Sequence, residues 1–91
     1  MEEWFMFKVG DLVQARSTVP RLGTVVKGPY THRFMDDEDY EMEAHGMGDY
    51  AGVYADAYDI CITADPFMEG QNSQVGTIHR ARGTLGWKLL E

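Results

Sequence analysis

The residues with the clearest capacity for chemistry are a run of carboxylates between positions 36 and 43. Six acids lie within these eight residues: Asp36, Asp37, Glu38, Asp39, Glu41 and Glu43. On a helix, Asp36, Asp39 and Glu43 would share one stripe, because residues three and four apart are neighbours on a helical surface. Such a surface would attract a basic partner, and in the extreme it would mimic nucleic-acid phosphates. The alternative prediction is a solvated charged face without a function.

These carboxylates do not have the spacing of a calcium-binding loop. Such a loop places oxygen ligands at alternate positions around a central glycine and ends with a glutamate at the twelfth position. The acidic run lacks that pattern, and the single Cys61 excludes a multi-cysteine zinc site and an internal disulfide. The sequence therefore predicts neither a bound metal nor a cofactor.

Catalytic motifs are also missing from the sequence. Cys61 could in principle pair with a histidine as nucleophile and base. However, it lies in an apolar run, which favours a buried and inert thiol. The chain has no glycine-rich phosphate loop, no nucleophile elbow and no His-x-x-x-His pair. We predict a protein without enzymatic activity and without catalytic residues.

Three cations near the end of the chain offer a different chemistry. Arg80, Arg82 and Lys88 could contact RNA or DNA together with nearby aromatic side chains, or pair internally with the acidic run. The net charge of −7 argues against general nucleic-acid binding, because an anionic protein repels phosphates at long range. This charge is unevenly placed, since residues 35–70 hold eleven acids and no lysine or arginine.

Tyrosines lie among these acids and along the segment that follows them. Tyr40, Tyr50 and Tyr54 are candidate anchors for a partner, because an exposed tyrosine offers a large contact area at a low entropic cost. Tyr50, Tyr54 and Tyr58 are spaced four apart, and the isoleucines beyond them continue the same face only on a strand. Most of that face is therefore predicted to be core.

The elements that must position these residues are short strands. Alternating or β-branched patterns predict five of them, at 8–16, 21–27, 53–63, 76–82 and 87–90. Turn-forming residues separate the strands at 28–30 and at 83–86. The chain is thus predicted to be mainly β and to form one domain over residues 1–91.

The acidic run is compatible with two structures, a short helix or a loop. Asp36 suits the N-cap position, Asp39 would complete a capping box, and Gly46 suits the residue after the helix. A helix of about ten residues is marginal alone, and neighbouring acids repel each other. In either structure, the acidic residues form an insertion at about 31–52.

Two stretches resemble the opening and closing strands of known small barrels. Gly10-Asp11-Leu12-Val13 followed by Leu22-Gly23-Thr24-Val25, together with the ending at 83–90, is similar to SH3-like barrels of the KOW, Tudor and CAP-Gly types. The resemblance implies a small five-stranded SH3-like β-barrel, of a kind that also recurs among small tailed-phage proteins. The acidic insertion departs from those families, as does the lack of a complete aromatic cage or a CAP-Gly signature. Their ligands therefore do not carry over.

The charge pattern favours a protein–protein interaction module that uses the acidic surface, for example a phage-encoded modulator of a host protein. A single thiol and the lack of an apolar run of about 18 residues predict a cytoplasmic location. One alternative is a nucleic-acid-binding barrel that uses Arg80, Arg82 and Lys88. Another is a structural or self-associating protein that pairs through its apolar N-terminal segment, residues 1–7.

Overall fold

The computed structural model describes residues 6–48, 51–67 and 73–90. In chain order, the elements are β1 (Leu12–Ala15), β2 (Leu22–Phe34), α1 (Asp37–Ala44), β3 (Val53–Ala64), β4 (Ile78–Arg82) and β5 (Trp87–Leu89). The strands form one antiparallel sheet with the order β4-β3-β2-β1-β5. The prediction of a mainly β chain is confirmed, but the sheet is open, with β4 and β5 as its edges, so closure into a barrel is not confirmed.

The inner face of the sheet carries the hydrophobic core. Val13, Val25 and Ile60 are completely buried there. The Phe7 ring packs against the Tyr58 ring at a centroid distance of 5.3 Å, and the Phe7 N–H donates to the Tyr58 hydroxyl. Hydrophobic burial on this one face, at about 25 cal/mol per Å² of apolar area, is the main force that holds the sheet together.

The sheet curls, so that its two edge strands approach each other. The His79 ring on β4 lies 5.5 Å from the Trp87 ring on β5, measured between centroids. The predicted tight turn at 83–86 is present and joins these two strands. We call the gap between β4 and β5 the seam, because side chains rather than a hydrogen-bonded ladder cross it in the described residues.

The strand β2 is longer than the sequence predicts. The turn expected at 28–30 is wrong, because the strand continues through Gly28 and Pro29, and both Lys27 and Tyr30 pair with β3. A register shift between those two pairs places Pro29, which has no N–H, in an irregular part of the ladder. Gly28 has φ 126°, and a Cβ at this position would lie 2.7 Å from the carbonyl oxygen of Ala57.

The two longest strands extend beyond the others as a two-stranded ribbon, formed by residues 31–34 of β2 and 53–56 of β3. Among the described residues, β1 and β4 pair only with the parts of β2 and β3 outside the ribbon. We call those parts, together with β1, β4 and β5, the body. The beginning of the acidic insertion predicted at about 31–52 is therefore strand. The helix α1 connects the two strands of the ribbon, and it is too short and too polar to cross a membrane.

Candidate functional site

The helix α1 begins at the cap that the sequence predicts. The Asp36 carboxylate accepts a hydrogen bond from the Asp39 N–H at 2.9 Å, and the Asp39 carboxylate accepts one from the Asp36 N–H at 3.0 Å. This reciprocal pair is the predicted capping box. Gly46, with φ 82°, follows the helix in the left-handed conformation that favours glycine. Of the two predicted structures for the acidic run, the helix is confirmed.

Arg33 ties α1 to the ribbon, and it is the residue of this region that the sequence patterns did not identify. Its Nη2 donates to the Gly48 carbonyl at 2.6 Å, and its Nε donates to the Ala51 carbonyl at 3.0 Å. Its Nη1 lies 3.3 Å from Oε2 of Glu43. One side chain therefore cross-links β2, the end of α1 and the chain that follows the helix. The available signal was its position as the last cation before the acidic segment.

One side of α1 faces the ribbon. Asp39 and Met42 are half-buried, and Glu43 binds Arg33. The backbone N–H groups of Asp36 and Gly52 donate to the Asp39 carboxylate, and these hydrogen bonds lower the pKa of Asp39. The stripe of Asp36, Asp39 and Glu43 exists as predicted, and its carboxylates are engaged in the helix cap and with Arg33.

The other side of α1 faces solvent. We call it the acidic face, and it consists of Asp37, Glu38, Tyr40 and Glu41, which lie within about half of the helix circumference. Its three carboxylates form no ion pair or hydrogen bond with any described residue. The Tyr40 side chain is 61% exposed. An exposed ring among unpaired carboxylates can attract a cation through both charge and cation–π contact.

The remaining predicted tyrosines lie in different environments. Tyr58 is buried in the core as predicted, whereas Tyr54, on the same face of β3, is 69% exposed. Tyr54 belongs to the ribbon, where it pairs with Arg33, beyond the part of β3 that pairs with β4. Tyr50 lies outside the described residues. Tyr54 is therefore available as a contact close to the attachment of α1.

Two of the three predicted cations meet an aromatic stripe on the outer face, the face of the sheet opposite the core. Tyr30, His32 and Phe34 alternate along β2 and form this stripe. The Arg80 Nε donates to the Tyr30 hydroxyl at 2.9 Å, and the Arg82 guanidinium lies 5.7 Å from the centroid of the Phe34 ring. Lys88 is on β5, at the opposite edge of the sheet, so the three cations do not form one patch.

Arg80 is engaged within the body and not with the acidic run. Its Nε lies 3.9 Å from Oδ1 of Asp59, and the Tyr30 hydroxyl donates to the same carboxylate at 2.5 Å. Burial and the hydrogen bond to Asp59 raise the pKa of Tyr30. The hydrogen bond to the Tyr30 hydroxyl raises the pKa of Arg80. The outer face therefore carries one internally paired arginine, Arg80, and one that stacks on an aromatic ring, Arg82.

Cys61 and the histidine nearest to it on the sheet lie on opposite faces. Cys61 alternates with the buried Ile60 and Ile62, so it lies half-buried on the outer face, and the prediction of a core thiol is wrong. His79 lies on the inner side, where its ring contacts Trp87. Within residues 6–48, 51–67 and 73–90, no group of three or more His, Cys, Asp or Glu side chains is arranged to hold a metal ion.

Comparison of the chain with models of protein families, with curated proteins and with solved structures gives no match.

Proposed function

We propose that this protein is an interaction module that binds a basic protein partner through the acidic face of α1. One observation carries the proposal. The carboxylates on the ribbon side of α1 serve the helix cap and Arg33, whereas those of Asp37, Glu38 and Glu41 bond to nothing in the described part of the chain. Asp37 and Glu38 lie in the first turn, where the helix dipole favours a negative charge, but Glu41 follows them at i+4 and i+3, and like charges at these spacings repel each other. A partner with lysine or arginine side chains would relieve that repulsion.

The mechanism is electrostatic steering followed by contact with exposed tyrosines. An exposed ion pair contributes only about 0–1 kcal/mol to the binding free energy. The acidic face therefore mainly accelerates association and selects partners of positive charge. Tyr40 and Tyr54, both more than half exposed, provide contact area and ring faces for an arginine of the partner. Affinity should therefore fall steeply as salt rises.

The body that carries this helix is proposed to be an SH3-like barrel with an open seam. Two observations support this proposal. The strand β1 lies between β5 and β2 in one antiparallel sheet, and the rings of His79 and Trp87 meet across the seam. A phage-encoded modulator of a host protein is one form that so small and acidic a module would take.

A charge-neutralising variant of α1 tests the proposed binding. The variant carries D37N, E38Q and E41Q, which leave both partners of the capping box and the Arg33 contacts in place. The probe is a fluorescein-labelled peptide of six arginines separated by serines. Its binding is measured by fluorescence anisotropy at 20 mM and 200 mM salt. We expect the variant to bind this peptide about tenfold more weakly at 20 mM salt, since three exposed pairs are lost.

The matched control removes the same amount of charge outside the helix. It carries D56N, E69Q and E91Q, which change the net charge by three units and leave the sequence of α1 unchanged. We expect the control to keep most of the affinity of the parent protein. If the control loses as much affinity as the helix variant, the peptide responds to net charge alone and the acidic face is not the site.

A second candidate function is binding of single-stranded nucleic acid on the outer face. The observation that favours it is the aromatic stripe beside Arg82, because bases stack on aromatic and guanidinium planes. The net charge of −7 and the carboxylate of Asp59 within the stripe oppose it. A titration with labelled oligo-dT and oligo-U 15-mers at 20 mM salt separates the two candidates. Absence of binding at this salt removes the second one.

A further inference from the structure

The exposed edge of β4 presents unpaired backbone groups. In an antiparallel ladder, successive residues point their N–H and C=O alternately toward and away from the neighbouring strand. The Ile62 N–H donates to the Thr77 carbonyl at 3.0 Å, and the Gly83 N–H donates to the Asp56 carbonyl at 2.7 Å, which fixes this alternation along β4. The residues whose backbone groups point away from β3 are therefore Ile78, Arg80 and Arg82.

The two edges of the sheet differ in how these outward groups are treated. On β5, the Trp87 N–H donates to the Thr84 carbonyl at 3.2 Å, and the Trp87 carbonyl accepts a hydrogen bond from the Arg16 Nε at 3.1 Å. On β4, the outward groups bond to nothing in the described part of the chain. Among the described residues, the chain therefore covers the outward groups of Trp87 on β5, although not those of Leu89, and it covers none of the outward groups on β4. An open edge is a template for pairing with another chain.

We propose that β4 is a docking edge, to which an extended segment of another protein adds as a sixth strand. In this mode of recognition, main-chain hydrogen bonds provide affinity and alternate side chains provide specificity. The segment would alternate acidic and apolar residues. The proposal concerns a different surface from the acidic face of α1 and does not depend on it.

The acidic half of this pattern follows from the outer face. The side chains of Ile78, Arg80 and Arg82 all lie on that face, so every second residue of an added strand would lie beside them. Opposite charges directly across a strand pair stabilise it, by roughly 0.2–1 kcal/mol per pair. Arg82 pairs with no carboxylate in the described residues, and the Arg80 side chain, although it bonds to Tyr30 and lies near Asp59, is 50% exposed. Glutamate or aspartate beside them would therefore match Arg82 first and the exposed part of Arg80 second.

The apolar half follows from a cleft on the inner side of the same edge. This cleft of about 300 Å³ opens at the seam beside His79. Ile62 and Trp87, both buried, form an apolar part of its lining, and Arg16, Arg21 and Gln74 belong to its polar part. The alternate side chains of an added strand would point toward it. A valine or leucine there would cover apolar surface that the open seam leaves unfilled.

A second copy of the chain fits this edge poorly. The antiparallel register that pairs all five residues of β4 with a second β4 places Arg80 directly opposite Arg80 of that copy. Like charges directly opposite each other destabilise a strand pair. The arginines thus protect the edge against self-association while leaving it open to an acidic segment.

Amide hydrogen exchange with a defined peptide tests the proposal. The probe is the capped heptapeptide Val-Glu-Val-Glu-Val-Glu-Val, added to the full chain, with NMR detection. We expect the outward amides of Ile78, Arg80 and Arg82 to exchange at least tenfold more slowly with the peptide present. The inward amides of His79 and Ala81 should be slow in both conditions. The same peptide with lysine in place of glutamate should give no protection.

Two variants locate the contact. I78P removes an outward N–H without removing a bond to β3, and we expect it to weaken peptide binding roughly three- to tenfold. I78T keeps that N–H and is its control. R82E reverses one charge of the outer face and should also weaken binding of the glutamate peptide. This variant tests the contact independently if I78P folds poorly.

Three results would overturn the proposal. The first is that the outward amides are already protected in the free protein, which would mean that the chain covers its own edge. The second is protection that rises with protein concentration in the absence of peptide, which would mean that a second copy occupies it. The third is binding of the lysine peptide as tightly as the glutamate peptide.

Discussion

The body and the helix-bearing ribbon are parts of one sheet that depend on different forces. In the body, side chains such as Val25 and Ile60 are completely removed from water. In α1, no residue is buried, and the attachment consists of the three contacts of Arg33 and the hydrogen bond from the Gly52 N–H to Asp39. Apolar burial therefore stabilises the body, whereas polar contacts, which are individually weaker and open to solvent, hold α1 in place.

This difference means that α1 can open without unfolding the body. Regions with few buried apolar contacts open at a lower free energy than the core of the same protein. Under the proposed function, a helix held mainly by one arginine can adjust to its basic partner while the sheet keeps its shape. The free energy of global unfolding and the free energy of local opening should accordingly respond to different substitutions.

The largest expected effect comes from a cavity in the body. I60A removes most of a completely buried side chain on β3, and we expect the free energy of unfolding to fall by about 2–5 kcal/mol. Urea denaturation followed by circular dichroism measures this loss. V53A, on the same strand but in the ribbon and 49% exposed, is the control and should change the stability by less than about 0.5 kcal/mol. Similar losses in both variants would show that the ribbon is packed like the body.

The strands of the body are the part of the fold that the sequence predicts best. The β-branched run ending in Ile60 and Ile62 has the period of a strand with one buried face, and both residues lie in the core. The passage of β2 through Gly28 and Pro29 was not predictable, because these residues usually indicate a turn. Only the close approach of β3, which leaves no room for a Cβ at Gly28, shows why glycine is needed within the strand.

A smaller effect is expected from loss of the arginine that holds α1. R33M keeps the apolar stem but removes the donors to Gly48, Ala51 and Glu43. We expect the amides of α1 to exchange about tenfold faster, because the helix then opens more readily. The free energy of global unfolding should fall by less than about 1 kcal/mol. R33K should not restore protection, because one ammonium group cannot reproduce the planar fork that reaches three acceptors.

R33M also tests whether α1 and the body unfold together. If R33M lowers the global stability as much as I60A does, the helix and the body unfold as one unit. In that case α1 does not open independently of the body.

The sides of α1 could not be predicted from its sequence. Acids occur all around the helix and no residue in it is buried, so no apolar stripe indicates which side faces the protein. The cap was predictable, because Asp36 and Asp39 have the spacing of a capping box. Which carboxylates anchor the helix and which are exposed depends on the position of Arg33. That position depends on the length of β2, which was not predictable because the strand continues through Gly28.

The smallest expected effect is a pH dependence of α1. Hydrogen bonds from the backbone N–H groups of Asp36 and Gly52 lower the pKa of Asp39 in the folded protein. A carboxyl group whose pKa is lowered by folding stabilises the fold at pH values above its ordinary pKa of about 4, and this contribution is lost as the pH falls through the lowered value. We therefore expect the amides of α1 to lose protection as the pH falls below about 4. In D39N, which cannot titrate at this position, the protection of α1 should be lower at neutral pH and should change less with acid. Equal acid sensitivity of α1 in both proteins would show that carboxylates other than Asp39 control the opening of the helix.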